Sequence, residues 1–390
     1  MSFFQSNHSK DSERVRPRSD EAAILGPQAH AGEVGVSIGP TESMSAPSPE
    51  LAPLSFDADA PAPDQCGLFI RPNEFNPQNF HAALLDRQGV YVGVGTFRAL
   101  GAIGVGSFDY GILLDYDHGT VLFNKANLSL ICSSASRVEY LARLFRAPID
   151  REGLNAIDAS AESAACALGK PSTRLDDISE VRPRHIFSAK DLVEIREDFA
   201  SPAQWRATIF GNDAIFERVK SMATAGRIVV GCGDFVNGAK ALSSLSKALT
   251  ERGLLISVVD LSNLAAHVDP DRAFAPNWSP DATSPAPLPQ RDAWMRLSWN
   301  ISRLPTTRDA VVLCTDFYTM PSCRPRFASW SYSSLALVEY ASALREPGID
   351  QAKSRLKDIS NDSFINITRD LESPHIRRHS PDFMRAKSFT

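Results

Sequence analysis

The stretch from Val90 to Asp117, VYVGVGTFRALGAIGVGSFDYGILLDYD, decides how the rest of the chain is read. A short apolar run breaks at Gly93-Val94-Gly95, and a second apolar run ends at Asp115 and Asp117. The pattern predicts a strand, a tight glycine turn and a second strand with acidic residues at its tip. Glycine in such a turn lets backbone amides approach a ligand, and a carboxylate about 20 residues on can accept hydrogen bonds from ribose hydroxyls. A nucleoside-bearing cofactor is the first expectation, set against the simpler reading of a glycine turn between two buried strands.

Beyond this stretch, Val121 to Phe145 carries apolar residues at helical spacing and is interrupted by Ser133-Ser134-Ala135-Ser136, which predicts two helices. Residues 150–205 read as a helical insertion, and Asp213 to Val219 as an amphipathic helix with Asn212 as its cap. Arg227 to Cys232 reads as a buried strand ending at Gly233-Asp234-Phe235, and Ala239 to Glu251 as a helix stopped by Gly253. Leu254 to Val259 is the next strand, ending at Asp260-Leu261-Ser262-Asn263, which completes a parallel crossover unit. Residues 268–292 form a loop, Ala310 to Cys314 a fifth strand ending at Thr315-Asp316-Phe317, and Ser333 to Leu344 a late helix. The expected class is α/β, a mostly parallel Rossmann-like sheet with a helical insertion after the second strand.

Three parts are expected along the chain. Residues 1–64, rich in Ser, Pro, Ala, Gly and Glu, bury too little apolar surface to offset their ordering entropy and are predicted to be a disordered extension. A leader read by a specialised bacterial secretion system has the same polar, serine-rich character, so export stands beside a cytoplasmic location. Residues 65–350 hold the α/β domain, with its helical insertion at about 150–205, and residues 351–390 a polar C-terminal tail.

Composition narrows the function classes. With 43% hydrophobic and 22% charged residues the chain is ordinary globular protein, and its net charge of −5 gives no pull toward nucleic acid or anionic lipid. No apolar stretch approaches the roughly 18–20 residues of a membrane span, so a soluble protein is expected. Six cysteines at 66, 132, 166, 232, 314 and 323 form no C-x-x-C, which argues against a metal site or a disulfide scaffold.

Four of the five predicted strands end in Asp or Asn: Asp115, Asp234, Asp260 with Asn263, and Asp316. In open parallel sheets the ligand crevice lies outside the carboxyl ends of the strands, so these tips can converge on one pocket. Asp and Asn at such positions also cap the helices that follow. An NAD-type turn wants G-x-G-x-x-G, whereas here Arg98 stands at the third position, and the run from Gly104 and Gly106 reaches Asp109. Class I methyltransferases usually carry an acidic residue two places before G-x-G and often a third glycine two places after it. Tyr91 and Phe97 stand there instead.

From about residue 66 to residue 318 the chain resembles a largely uncharacterised bacterial family classed with S-adenosylmethionine-dependent methyltransferases. The resemblance is carried by Tyr91-Val92-Gly93-Val94-Gly95, Ile112-Leu113-Leu114-Asp115, Arg137 to Phe145, Gly233-Asp234-Phe235 with Gly238, and Leu261-Ser262-Asn263. Where that family commonly has two basic residues after the acid and Gln-Asn-Phe after the glycine turn, this chain has Tyr116-Asp117-His118 and Thr96-Phe97-Arg98. The resemblance implies a methyltransferase-like sheet and S-adenosylmethionine as cofactor. On that pattern Gly93, Gly95 and Thr96 line the methionine end, Asp115 with Tyr116 takes the ribose, and Asp234 with Phe235 flanks adenine. Asp260 or Asn263 orients the acceptor, and His267 is the candidate base. The acceptor, a small molecule or a protein, is not specified. Trp278, Trp294, Trp299, Trp330 and Tyr332 can build a pocket for a flat substrate, with Arg324 and Arg326 for an anionic group, but core packing is the default reading for most of the aromatics and a solvated surface pair for the arginines. The alternative is a non-catalytic effector or binding protein that keeps the fold without the cofactor.

Overall fold

The computed structural model describes residues 53–60, 77–168, 187–199, 201–262, 264, 290–319, 327–360 and 365–370. A 3-10 turn, Pro77–Phe80, and α1 (His81–Leu84) lead into β1 (Val90–Gly93), α2 (Phe97–Val105) and β2 (Tyr110–Asp115). Before β3 come α3 (His118–Ser133), α4 (Arg137–Leu144), α5 (Arg151–Ala159), α6 (Ala161–Leu168), α7 (Ala189–Asp198), α8 (Pro202–Arg206) and α9 (Asp213–Thr224). Then follow β3 (Ile228–Cys232), α10 (Ala239–Glu251), β4 (Ile256–Ser262), α11 (Gln290–Ser302), β5 (Thr306–Thr319), β6 (Phe327–Ala336), α12 (Leu337–Ala343), α13 (Ile349–Ser360) and β7 (Ile365–Asp370).

The seven strands form one sheet in the order β3-β2-β1-β4-β5-β6-β7. β1 to β5 are mutually parallel, whereas β6 runs antiparallel to both of its neighbours. The first five strands have the doubly wound order, with the switch point between β1 and β4. Strand alternation sends Val90, Val92, Ile112, Leu114, Val259 and Val312 to one face and Tyr91, Leu113, Val258 and Leu313 to the other. Helices α2 to α9 belong to the second face, and α10 to α12 cover the first. Strands buried on both faces read as continuous apolar runs, which is why β1 to β4 were legible.

Several expectations are corrected. The opening stretch is not a strand pair joined by a glycine turn alone, because α2 lies between β1 and β2. Its glycines serve packing: a Cβ on Gly104 would meet Ile215 Cγ2 of α9 at 2.6 Å. The crossover from β3 to β4 is parallel but passes over β2 and β1 rather than joining adjacent strands. The late helix starts at Leu337, since Ser333 to Ala336 still pair with β5. Asp316 is not at a strand tip, because β5 continues to Thr319 and residue 316 pairs with Ser331. Beyond residue 350, within the stretch assigned to a polar tail, most of α13 and the edge strand β7 are found.

Residues 53–60, assigned by sequence to the disordered extension, are ordered against the sheet, with Leu54 only 4% exposed. Ser136, Asp150, Ser188, Ser201 and Asn212 cap α4, α5, α7, α8 and α9, as short polar side chains do. The predicted cap at Asn212 thus accepts from the Ala214 and Ile215 amides at 2.9 and 3.3 Å. Arg137, 4% exposed, ties the helical insertion to the domain through two bonds to Asp158 (2.9 and 2.7 Å), one to Asp213 (2.7 Å) and one to the Phe210 carbonyl (2.5 Å).

Candidate functional site

The switch point between β1 and β4 brings the first glycine turn against the tip of β4. Gly93 pairs with Asp260 in the parallel ladder, and the Val94 amide donates to the Asp260 carbonyl at 3.0 Å. The Asp260 side chain is 0% exposed. Tyr91 Oη donates to its Oδ2 at 2.6 Å, the Ser262 amide donates to Oδ1 at 3.0 Å, and the Arg98 guanidinium forms a buried ion pair with Oδ1. The Arg98 guanidinium carbon also lies 5.4 Å from the centroid of the Phe80 ring, within cation–π range. Two of the residues that depart from the cofactor signatures, Tyr91 and Arg98, therefore answer one carboxylate.

The third departure, Phe97, has a separate cause. Its ring lies 4.6 Å from Phe210, 5.5 Å from Phe123 and 5.9 Å from Phe187, so it joins α2 to the helical insertion. The glycines also divide their duties. A Cβ on Gly93 would meet Tyr91 Oη at 2.7 Å and Asp260 Cβ at 3.0 Å, so this glycine makes room for the internal pair. Gly95, at φ +87°, has nothing within 4 Å of its Cβ position, so it needs glycine for backbone shape while leaving space beside the turn.

That turn is held from below. The Gly95 amide donates to Asp115 Oδ2 over a long 3.4 Å, and Asn124 Nδ2 donates to the Gly95 carbonyl at 2.9 Å. Asp115 is 7% exposed and also accepts from the Asp117 amide at 3.0 Å. Burial pushes its carboxyl up to about 7, opposed by the backbone amides that donate to it and reinforced by the neighbouring Asp117 charge. Thr96, 4% exposed, is the N-cap residue of α2 but makes no side-chain capping bond. Tyr116 is half-buried beside Asp115. Asp117 caps α3, accepting from the Gly119 amide at 3.1 Å and from Thr120 Oγ1 at 2.7 Å.

At the β3 tip the aspartate closes its own loop before α10 rather than capping that helix. Asp234 accepts from the Val236 amide at 2.7 Å and from Asn237 Nδ2 at 3.0 Å. Phe235, 1% exposed, packs in the apolar core rather than beside a ligand position. Asn263, His267, Trp278, Arg324 and Arg326 lie outside the described residues, as do the side chains of Trp330 and Tyr332. Trp294 is buried at 4%, and Trp299 is exposed with Arg303 stacked 5.4 Å from its centroid. A cavity of about 390 Å³ lies between α6 and α7, lined by Ala165, Leu168, Val193, Glu194 and Glu197 among others, and none of the strand-tip residues lines it.

Among the described residues no group of three or more His, Cys, Asp or Glu side chains is placed to hold a metal ion, and no helix is long and apolar enough to cross a membrane. The order of the strands defines a doubly wound, Rossmann-like α/β protein. Residues 69–280, more than half of the chain, match the model of a domain of unknown function, DUF7790, and the chain belongs to that family. No curated protein matches it.

Sequence reading missed Asn124, the partner of the glycine turn, and the engagement of Asp260 by Tyr91 and Arg98. Asn124 sits nearly two helical turns into α3 and carries no local signal of its role. Arg98 and Asp260 are 162 residues apart.

Proposed function

We propose that the chain is a methyltransferase-like protein that binds S-adenosylmethionine beside the Gly95 turn and passes its methyl group to a small-molecule or protein acceptor. The observation that carries this reading is the turn itself, held open-sided at Gly95 between Asp115 and Asn124. The residues present fit such a ligand. Asp115 offers a carboxyl to ribose hydroxyls, Tyr116 offers a half-buried ring beside it, and the N-terminal end of α2 after Thr96 offers the positive end of a helix dipole to a carboxylate. When bound, the cofactor supplies an already activated methyl group, so the protein needs chiefly to hold the acceptor in line.

A second reading is favoured by a specific observation. Asp260, the tip assigned to the acceptor, is bound to Arg98 and Tyr91. An Asp260 engaged in this way orients an acceptor only if Arg98 releases it. A non-catalytic effector or binding protein that keeps the fold without the cofactor needs no such release.

Calorimetry of the full chain against S-adenosylmethionine, S-adenosylhomocysteine and NAD tests both readings. The first expects saturable heat with the two sulfur ligands, weakened by about 1–3 kcal/mol in Asp115→Ala, the worth of one charge-assisted hydrogen bond. No heat with either sulfur ligand, from protein whose circular dichroism shows it folded, refutes it and leaves the second.

A further inference from the structure

Residues 53–60 are held along β3 and α10 by contacts of three kinds. Leu54 belongs to the same buried apolar cluster as Leu245 and Leu249 of α10. Phe56 packs over Gly231, where an added Cβ would lie 2.5 Å from the ring. The Asp59 amide donates to the Cys232 carbonyl at 2.9 Å, next to the point where Gly233 turns its own amide to Asp115 of β2. Backbone groups alternate sides along a strand, so the Cys232 carbonyl faces the outer edge of the sheet.

The Asp59 carboxylate is the third anchor. It accepts from the Asp234 amide at 3.2 Å, the Lys240 amide at 3.2 Å and the Ala241 amide at 3.0 Å. Helix α10 has glycine as its N-cap residue and no side-chain cap of its own. A cap normally comes from the N-cap residue, whereas here it comes from a residue about 180 positions away. A Cβ on Gly238 would stand 2.0 Å from Asp59 Oδ2 and 2.5 Å from the Asp234 carbonyl oxygen, so both the incoming carboxylate and the turn of the loop need glycine there. The positive end of the helix dipole favours the carboxylate further. The rim contact of Asp57 with Lys240, 3.8 Å between two exposed side chains, adds little.

Two apolar anchors, a backbone bond to a sheet edge and a carboxylate in a cradle of amides are how short linear peptides are recognised in trans. We propose that the groove between β3 and α10 is a peptide-binding site for sequences of the form apolar-x-apolar-x-x-Asp. Residues 53–60, Pro-Leu-Ser-Phe-Asp-Ala-Asp-Ala, are its internal ligand, and Asp59 sets its specificity. A neutral residue at that position leaves three amides without their acceptor, so the site discriminates by what it would leave unpaired. Covalent attachment keeps the internal segment at high effective concentration, so a free peptide enters only when that segment is disabled.

The test uses the full chain with Leu54→Ala, Phe56→Ala and Asp59→Ala combined, titrated with a fluorescent peptide of residues 51–62 and read by polarisation. Saturable binding to the triple variant is expected, with binding to the wild-type chain about tenfold weaker or more because its groove is filled. The same peptide carrying Asp59→Ala is expected to bind the triple variant about tenfold more weakly than the native peptide. Equal binding to both proteins, or no binding to a folded triple variant, overturns the proposal. Should the triple variant fail to fold, Asp59→Ala alone is measured by hydrogen exchange. Loss of the carboxylate should make the Asp234, Lys240 and Ala241 amides exchange faster, with added peptide of residues 51–62 slowing them again, and unchanged exchange or no slowing overturns the proposal as well.

Discussion

Arg98→Ala removes the guanidinium from a carboxylate that is 0% exposed at the switch point of the sheet. Taking away one partner of a buried ion pair typically costs about 3–5 kcal/mol, because the remaining charge loses its compensation without regaining water. Tyr91 Oη and the Ser262 amide still donate to Asp260, which places the loss toward the lower end. Loss of the guanidinium from the Phe80 ring adds about 0.5–2 kcal/mol. The expected total is about 3–5 kcal/mol, and Asp260→Ala, which strands Arg98, should cost about as much. Replacing both at once by Arg98→Met and Asp260→Leu should recover most of the loss, since a buried pair exchanged for apolar side chains is often neutral. Urea denaturation of the full chain at pH 7, followed by two probes to check two-state behaviour, measures all three variants. Single-variant losses under about 1 kcal/mol, the worth of a solvent-exposed pair, would refute the reasoning and mean that water reaches Asp260.

Asp115 gives a pH signature. Burial raises its folded-state carboxyl to about 7, so between about 4 and 7 the folded protein holds a proton there that the unfolded chain has lost. Its contribution is full below the unfolded value and is lost as the pH rises through 7, by at most about 4 kcal/mol. Asp115→Asn should flatten that part of the stability curve measured by denaturation from pH 4 to 8, and an unchanged curve contradicts the assignment. Arg137→Ala should destabilise the fold by about 1.5–3 kcal/mol and speed proteolysis between residues 187 and 206, since the Phe210 carbonyl loses its charged donor while Asp158 keeps only Trp205 Nε1 and Asp213 only the more distant Arg151. Arg137→Lys should rescue little of this, because an ammonium cannot reproduce the planar fork, and full rescue in thermal unfolding would argue that only charge matters there.

Much of the sheet was legible because its physics is local. β1 to β4 are apolar runs ended by glycine or acid, and Asn212, named as a cap from its place before an amphipathic run, caps α9. Helix α2 escaped notice because Gly101, Gly104 and Gly106 look like turn residues. At Gly104 the reason is the approach of Ile215, which no local pattern reveals. The strand to Ala336 was read as helix because pairing with β5, not periodicity, holds Ser333 to Ala336 extended. β7, Ile-Asn-Ile-Thr-Arg-Asp, is polar enough to pass for a tail and becomes a strand by pairing with β6 at the sheet edge.

The sequence by itself determined that a glycine turn is followed by an acid at the next strand tip, and that the strands around them are buried on both faces. Only the tertiary structure decided what each tip carboxylate does. Asp115 holds the glycine turn, Asp234 closes its own loop, and Asp260 is bound to Tyr91 and Arg98. The same holds for Asp59, which sits in a polar segment by composition and caps α10 from about 180 residues away. A strand or a turn follows from residues a few positions apart, whereas the role of a charge depends on which donors the fold brings to it.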